Sequence, residues 1–221
     1  MTKIIVVGGT KGGPGKSTLA QQIAVCLKVK KKKKTQITDI DIQRTTTSWC
    51  EDRRQNEDLD LIPFAYVQED VVKHLKSLQG RFDYVVVDAG GFDSEIQRQA
   101  MLMADVIVIP LRPKRRDLKS LRDIDPIIDN VRNVNEKVKI RAVINQCPSL
   151  PSQMSRILAA KEIVETFGIE AAPVNLYNRN VYDDAEEAGC SIFEMTGAER
   201  DKKAEAEFEQ FVDYILSLEE E

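Results

Sequence analysis

Apolar residues in this chain fall into two alternating patterns, short unbroken runs and helical spacings. Ile4–Val7 is an unbroken run stopped by Gly8-Gly9, as expected of a strand buried on both faces of a parallel sheet. Beyond the glycines, Leu19, Ile23 and Cys26/Leu27 recur at helical spacing, so a helix with one buried face is predicted to start near Lys16. Further strands are predicted at 35–40 (the weakest), 59–64, 84–87, 106–109, 140–144 and 172–176. Between them, Ile96, Ala100 and Met103 share one helical face. Leu118, Leu121, Ile124 and Ile128 share another, with a kink expected at Pro126. Ile157, Ile163, Val164 and Phe167 form a third face, stopped by Gly168. Phe208, Phe211/Val212, Ile215 and Leu218 mark a last helix. The alternation predicts an α/β fold, a mostly parallel twisted sheet with helices on both faces and right-handed crossovers. No repeat or Pro-, Gly- or Ser-rich linker divides the chain, so a single domain over 1–221 is expected.

Composition narrows the class. Hydrophobic residues make up 42% and charged residues 31%, the balance of a soluble globular domain. No apolar run approaches the roughly 18 residues that would cross a membrane. The apolar run near the start is too short for a secretory signal. Cys26, Cys50, Cys147 and Cys190 lie far apart and His74 is the only histidine, which argues against a disulfide framework or a zinc site. Isolated cysteines fit a reduced cytosol, so a cytoplasmic location is expected. The formal net charge is −4, so a nucleic-acid partner would need local basic patches. Six of the seven residues from Lys28 to Lys34 are lysine, which reads as a solvated helix end at the negative pole of the helix dipole. From Glu199 to Glu221, nine acids face three bases, which reads as the polar side of a terminal helix.

The chemistry concentrates in Gly12-Gly13-Pro14-Gly15-Lys16-Ser17, between a predicted strand and a predicted helix. That context suits a phosphate-binding loop. Glycines let backbone N–H groups converge on phosphate oxygens, and the helix N-terminus adds partial positive charge. Lys16 is placed to reach the β- and γ-phosphates, Ser17 to ligate Mg²⁺, and Thr18 to approach an α-phosphate. Phe82 to Asp88 adds an apolar strand ending in an acid at the carboxyl edge of the sheet, where α/β ligands bind.

The loop departs from the common GxxxxGK[ST] form, with Thr10 at the first glycine position and Lys11 after it. Lys11 to Ser17 instead resembles the KGGxGK[ST] pattern of the deviant Walker A ATPases, the ParA/MinD superfamily. Other landmarks follow in order. Asp39-Ile40-Asp41-Ile42-Gln43 resembles the family's DxDPQ segment, with Ile42 in place of proline. Pro110, Pro113 and Asp117 match a later stretch. Asn145 matches the position that hydrogen-bonds adenine, and Arg179–Tyr182 with Gly189–Ile192 resemble the "R.ay…G.sv" segment of small plasmid-partition ATPases.

The resemblance covers nearly the whole chain and implies an ATPase with slow intrinsic turnover that uses ATP and Mg²⁺. It implies that Asp41 orients the attacking water and that Asp88 holds Mg²⁺ through a water. It further implies that Lys11 reaches the ATP of a second subunit, giving an ATP-dependent homodimer that dissociates on hydrolysis. Partition members of the family bind DNA non-specifically, associate with the nucleoid and respond to a ParB-like centromere-binding adaptor. Basic candidates for DNA are Lys114-Arg115-Arg116, Lys28–Lys34, Arg156, Lys161, Lys202 and Lys203. The alternatives are a MinD-like membrane ATPase, a positioning ATPase for a microcompartment, a metallocluster reductase and a small-molecule kinase. The acidic end, Glu219-Glu220-Glu221, disfavours anionic lipid. The cysteine positions disfavour a cluster, and a kinase would have no use for Lys11.

Overall fold

The computed structural model describes every residue except 10, 11, 92, 188 and 219–221. Its centre is a parallel sheet of seven strands in the order β3-β2-β4-β1-β5-β6-β7. The strands are β1 (Lys3–Val7), β2 (Thr35–Asp39), β3 (Phe64–Tyr66), β4 (Tyr84–Asp88), β5 (Val106–Leu111), β6 (Lys139–Ile144) and β7 (Glu170–Ala171). The helices are α1 (Lys16–Val25), α2 (Thr45–Gln55), α3 (Val71–Ser77), α4 (Glu95–Leu102), α5 (Arg115–Leu118), α6 (Leu121–Val134), α7 (Met154–Glu165), α8 (Val181–Glu186) and α9 (Lys202–Ser217).

Alternating side chains of the inner strands feed two cores, which is why these strands read as unbroken apolar runs. Ile4, Val6, Val85, Val87, Ile107 and Ile109 meet α4, α6 and α7 on one face. Ile5, Val7, Val86, Val106 and Val108 meet α1 and α9 on the other. This arrangement bears out the predicted α/β class. The strand expected to be weakest, β2, is buried along its whole length between β3 and β4.

Several predicted elements shift, each for a local reason. The strand expected at 59–64 begins only at Phe64, because Pro63 has no N–H to donate; its carbonyl accepts from Ile37 at 2.9 Å. The strand expected at 172–176 is interrupted by Pro173 after β7. Even so, the N–H groups of Ala172 and Leu176 still bond to Ala142 and Ile144 of β6. The helix expected across Leu118–Ile128 divides into α5 and α6 between Leu118 and Leu121, and α6 runs on through Pro126. Polar α2 and short α3 and α8 carry too few spaced apolar residues to announce themselves, and the periodicity missed them.

The lysine run is only partly a solvated helix end. After α1 the chain makes a π turn over Cys26–Lys30. Lys30 then pairs with Glu205, and Lys31 with both Glu209 and Asp213 of α9. The acidic side of the last helix therefore neutralises part of the run. No helix among the described residues is long and apolar enough to cross a membrane.

Candidate functional site

The carboxyl ends of β1, β2, β4, β5 and β6 lie side by side, and the loops leaving them gather the predicted site residues at one edge. The loop after β1 turns through Gly13 (φ 95°) and Gly15 (φ 83°), a region of backbone space that glycine enters without strain. Gly15 opens α1, its carbonyl accepting from Leu19 N–H at 2.9 Å. Gly12 is exposed, its φ is not in the left-handed region, and a Cβ built on it meets nothing within 4 Å among the described residues. Lys11 and Thr10 lie outside the described residues, so the placement of the second lysine does not enter this geometry.

Lys16 is 6% exposed. Burial lowers its pKa, opposed by the negative charges of Asp88 and then Asp41, so the ammonium sits among the carboxylates predicted to share its site. Asp88 is fully buried at the end of β4. Burial pushes its pKa up to about 6, while hydrogen bonds from Thr46 and Ser17 act in the opposite direction. Thr46 Oγ1 donates to Asp88 Oδ2 at 2.7 Å, and Gln21 Nε2 donates to Thr46 Oγ1 at 3.2 Å. Asp88 Oδ1 has no hydrogen-bond partner. A buried carboxylate oxygen left open beside a serine hydroxyl fits Mg²⁺, which takes one or two protein oxygens and completes its shell with phosphate and water. No group of three or more His, Cys, Asp or Glu among the described residues forms a stand-alone metal cage.

Asp39 and Asp41, two residues apart, do different jobs. Asp39 is buried and fully engaged, accepting from Asp41 N–H (2.9 Å), Thr47 N–H (2.7 Å) and Thr47 Oγ1 (2.8 Å). It ties β2 to the start of α2. Asp41 is half-buried, with Oδ1 accepting from Gln43 N–H at 3.0 Å. Its carboxylate rests against Gly90 (φ 62°), where a Cβ would come within 2.7 Å of Asp41 Cγ. Glycine at 90 therefore makes room for Asp41.

Asn145 is 7% exposed, and its Nδ2 donates to the Pro14 carbonyl at 2.8 Å, clamping the glycine loop from the β6 side. Beside it a cleft is lined by Gly15, Thr18, Asn145, Gln146, Tyr177 and Arg179, among others. Gly13, Gly15, Lys16, Ser17, Thr18, Asp41, Asp88 and Asn145 thus converge on one edge. The sequence reading missed Thr46, Thr47 and Gln21. The hydroxyl run Thr45-Thr46-Thr47, following an acid and opening a helix, was the available signal. The Gly189–Ile192 segment lies behind the site, where Trp49 Nε1 donates to the Cys190 carbonyl and Ile192 N–H to Gln22 Oε1.

Comparison with known proteins bears on the fold and the family. The chain is 30% identical over 214 residues to the maintenance of carboxysome distribution protein A of Halothiobacillus neapolitanus, covering 96% of this chain and 95% of that one. It is 25% identical over 193 residues to the protein ParA of Rhizobium radiobacter, with 87% and 86% covered. The solved structure of Cyanothece McdA in complex with ATP shares the fold with a TM-score of 0.75 at 17% identity, covering 97% of this chain and 96% of that one. Residues 5–185, from the first strand through the glycine loop and the cleft, match the model of the CobQ/CobB/MinD/ParA nucleotide binding domain, and to that family the chain belongs.

Proposed function

We propose that the chain is a partition ATPase. In this reading an ATP-bound homodimer holds DNA without regard to sequence and releases it on hydrolysis, which a ParB-like, centromere-bound adaptor stimulates. The observation that carries the reading is the convergence of Lys16, Ser17, Asp88 and Asp41 on a glycine loop at the head of α1.

The backbone amides of Gly12, Gly13 and Gly15 cradle the phosphates, and Lys16 neutralises β- and γ-oxygens. Ser17 and the open oxygen of Asp88 would hold Mg²⁺, which supplies further charge neutralisation when bound. Thr18 lies on the cleft side, near an α-phosphate. Asn145 stands where it could turn from the Pro14 carbonyl to a base. Asp41 positions the attacking water. A carboxylate is a weak base, so turnover is slow until the site is completed from outside, by Lys11 of a second subunit and by the adaptor. Gly12 supports the dimer: no described residue of the chain demands glycine there, whereas close approach of a second copy would.

For DNA, charge pairing sorts the basic candidates. Lys30 and Lys31 are engaged by α9, and Lys161 donates to the carbonyls of Ala172 and Pro173. Arg115, Lys119, Arg122 and Arg156 surround a groove between α5, α6 and α7 with no acidic residue in its lining. Such a concentration of cations in a chain of net charge −4 suits a phosphate backbone. The test is a gel shift on duplex DNA with ATP, ADP and no nucleotide, across salt. Binding only with ATP, weakening steeply with salt and lost in an Arg122→Glu/Arg156→Glu variant, is expected. Binding indifferent to nucleotide, or binding to anionic vesicles without DNA binding, would refute the reading.

A second reading has one specific support: the 30% identical relative is a carboxysome distribution protein. The cargo would then be a microcompartment carried on the same DNA track. The two readings part at the adaptor. Stimulation of hydrolysis by a centromere–adaptor complex supports the first, and stimulation by a shell-associated protein without a centromere supports the second.

A further inference from the structure

Arg112 plays no part in the reading above, yet its guanidinium lies beside the glycine loop. It follows β5 directly, in a tight turn closed by Lys114 N–H donating to the Arg112 carbonyl at 2.7 Å. Asp117, 2% exposed, accepts from Arg112 Nε and, at 3.2 Å, from Nη2. Two parallel bonds along one edge of the guanidinium fix the plane of the group. A Cβ built on Gly13 would lie 3.3 Å from Nη2, 3.6 Å from Nη1 and 3.7 Å from Cζ. The nitrogen end of the guanidinium therefore takes up the space that a side chain at 13 would need. Gly13 is also one of the two loop glycines held at positive φ.

We propose that Arg112 is a positioning residue of the nucleotide site: its guanidinium, clamped by Asp117, buttresses Gly13 and holds the glycine loop in the shape that receives a β-phosphate. A glycine-rich loop has many backbone states, and ordering it on binding costs affinity. A rigid plane against Gly13 removes part of that cost beforehand. Asp117 holds Nε and Nη2 of the same group, so the pair acts as a fixed wall rather than as a mobile charge. The proposal rests on the reading of 12–18 as a phosphate cradle and goes beyond it by giving the cradle a wall from a different strand.

The loop encloses the β-phosphate, so the effect must separate ADP from AMP. Calorimetric titration of the full chain with ATP, ADP and AMP tests this in Arg112→Ala and Arg112→Lys. Arg112→Ala is expected to weaken ATP and ADP by about tenfold each and to leave AMP unchanged, measured below a melting transition that itself falls because buried Asp117 loses its guanidinium. Arg112→Lys keeps the charge but not the plane or the fork, and is expected to bind ADP as weakly as Arg112→Ala. ADP affinity unchanged in Arg112→Ala, AMP weakened along with ADP, or full recovery in Arg112→Lys would each overturn the proposal. A parent chain that binds no ADP would overturn the cradle itself.

Discussion

Asp39 and Asp41 look alike in the sequence, two acids two residues apart, and the fold gives them different surroundings. Asp39 spends both oxygens on the backbone and side chain of its own neighbours. Replacing it with alanine leaves three donors without their acceptor and is expected to cost about 3 kcal/mol of stability, read from urea unfolding. Asp41 accepts from Gln43 N–H with Oδ1 and stands half-buried beside Gly90. Asp41→Ala is therefore expected to fold and bind ATP with the affinity of the parent. Its turnover should fall by about two orders of magnitude, measured as phosphate release. Unchanged turnover would remove Asp41 from the chemistry. The motif spacing marked both acids. Only the contact with Gly90 and the engagement of Asp39 by Thr47 separate them, and neither contact is written in local sequence.

At the scale of elements, the strands were legible because both faces of the sheet are covered, so Ile4–Val7 of β1, Tyr84–Val87 of β4 and the whole of β5 run apolar without a break. The helix α2 was not legible, because its packing depends on few apolar residues, Trp49 and Cys50, and on a buried arginine. Arg53, 1% exposed, bonds to Glu194 and to the carbonyls of Asp60 and Gly189, holding α2 to two distant segments. Periodicity counts apolar spacing and cannot register an anchor of that kind. The pairing of α3 with β2 gives a pH signature. His74 Nε2 lies 3.2 Å from the buried Thr38 hydroxyl, and burial lowers the histidine pKa below its ordinary 6.5. A base with a depressed folded pKa favours the fold while neutral, above its unfolded pKa, and loses that contribution as pH falls through the folded value. Unfolding midpoints should therefore decline between pH 7.5 and 5, with a smaller decline in His74→Gln. Equal slopes in the two proteins would dismiss the contact as a pH-sensitive element.

At the scale of the whole molecule, the proposed dimer makes demands that one chain does not explain. Gly12 is exposed and unstrained, and Lys11 stands next to it in sequence. Lys11→Ala is expected to bind ADP like the parent yet remain monomeric with ATP by light scattering, whereas the parent doubles in mass. Gly12→Val should behave likewise, because a side chain there obstructs a neighbour rather than the loop's own fold. ATP-dependent dimers of either variant would dissolve the sandwich reading.

The sequence by itself determined the parallel α/β class, the glycine loop at the head of α1 and the acids at the ends of β2 and β4. These are local facts, set by burial on two faces, by backbone freedom at glycine and by strands ending at one edge. The tertiary structure decided what meets across the fold. It placed Thr46 on Asp88, Asp41 on Gly90, Asn145 on Pro14 and Arg112 on Gly13, and it spent part of the lysine run on α9. Those contacts join residues far apart in the chain or on different strands. Their energy depends on distance and burial, which only the folded chain sets.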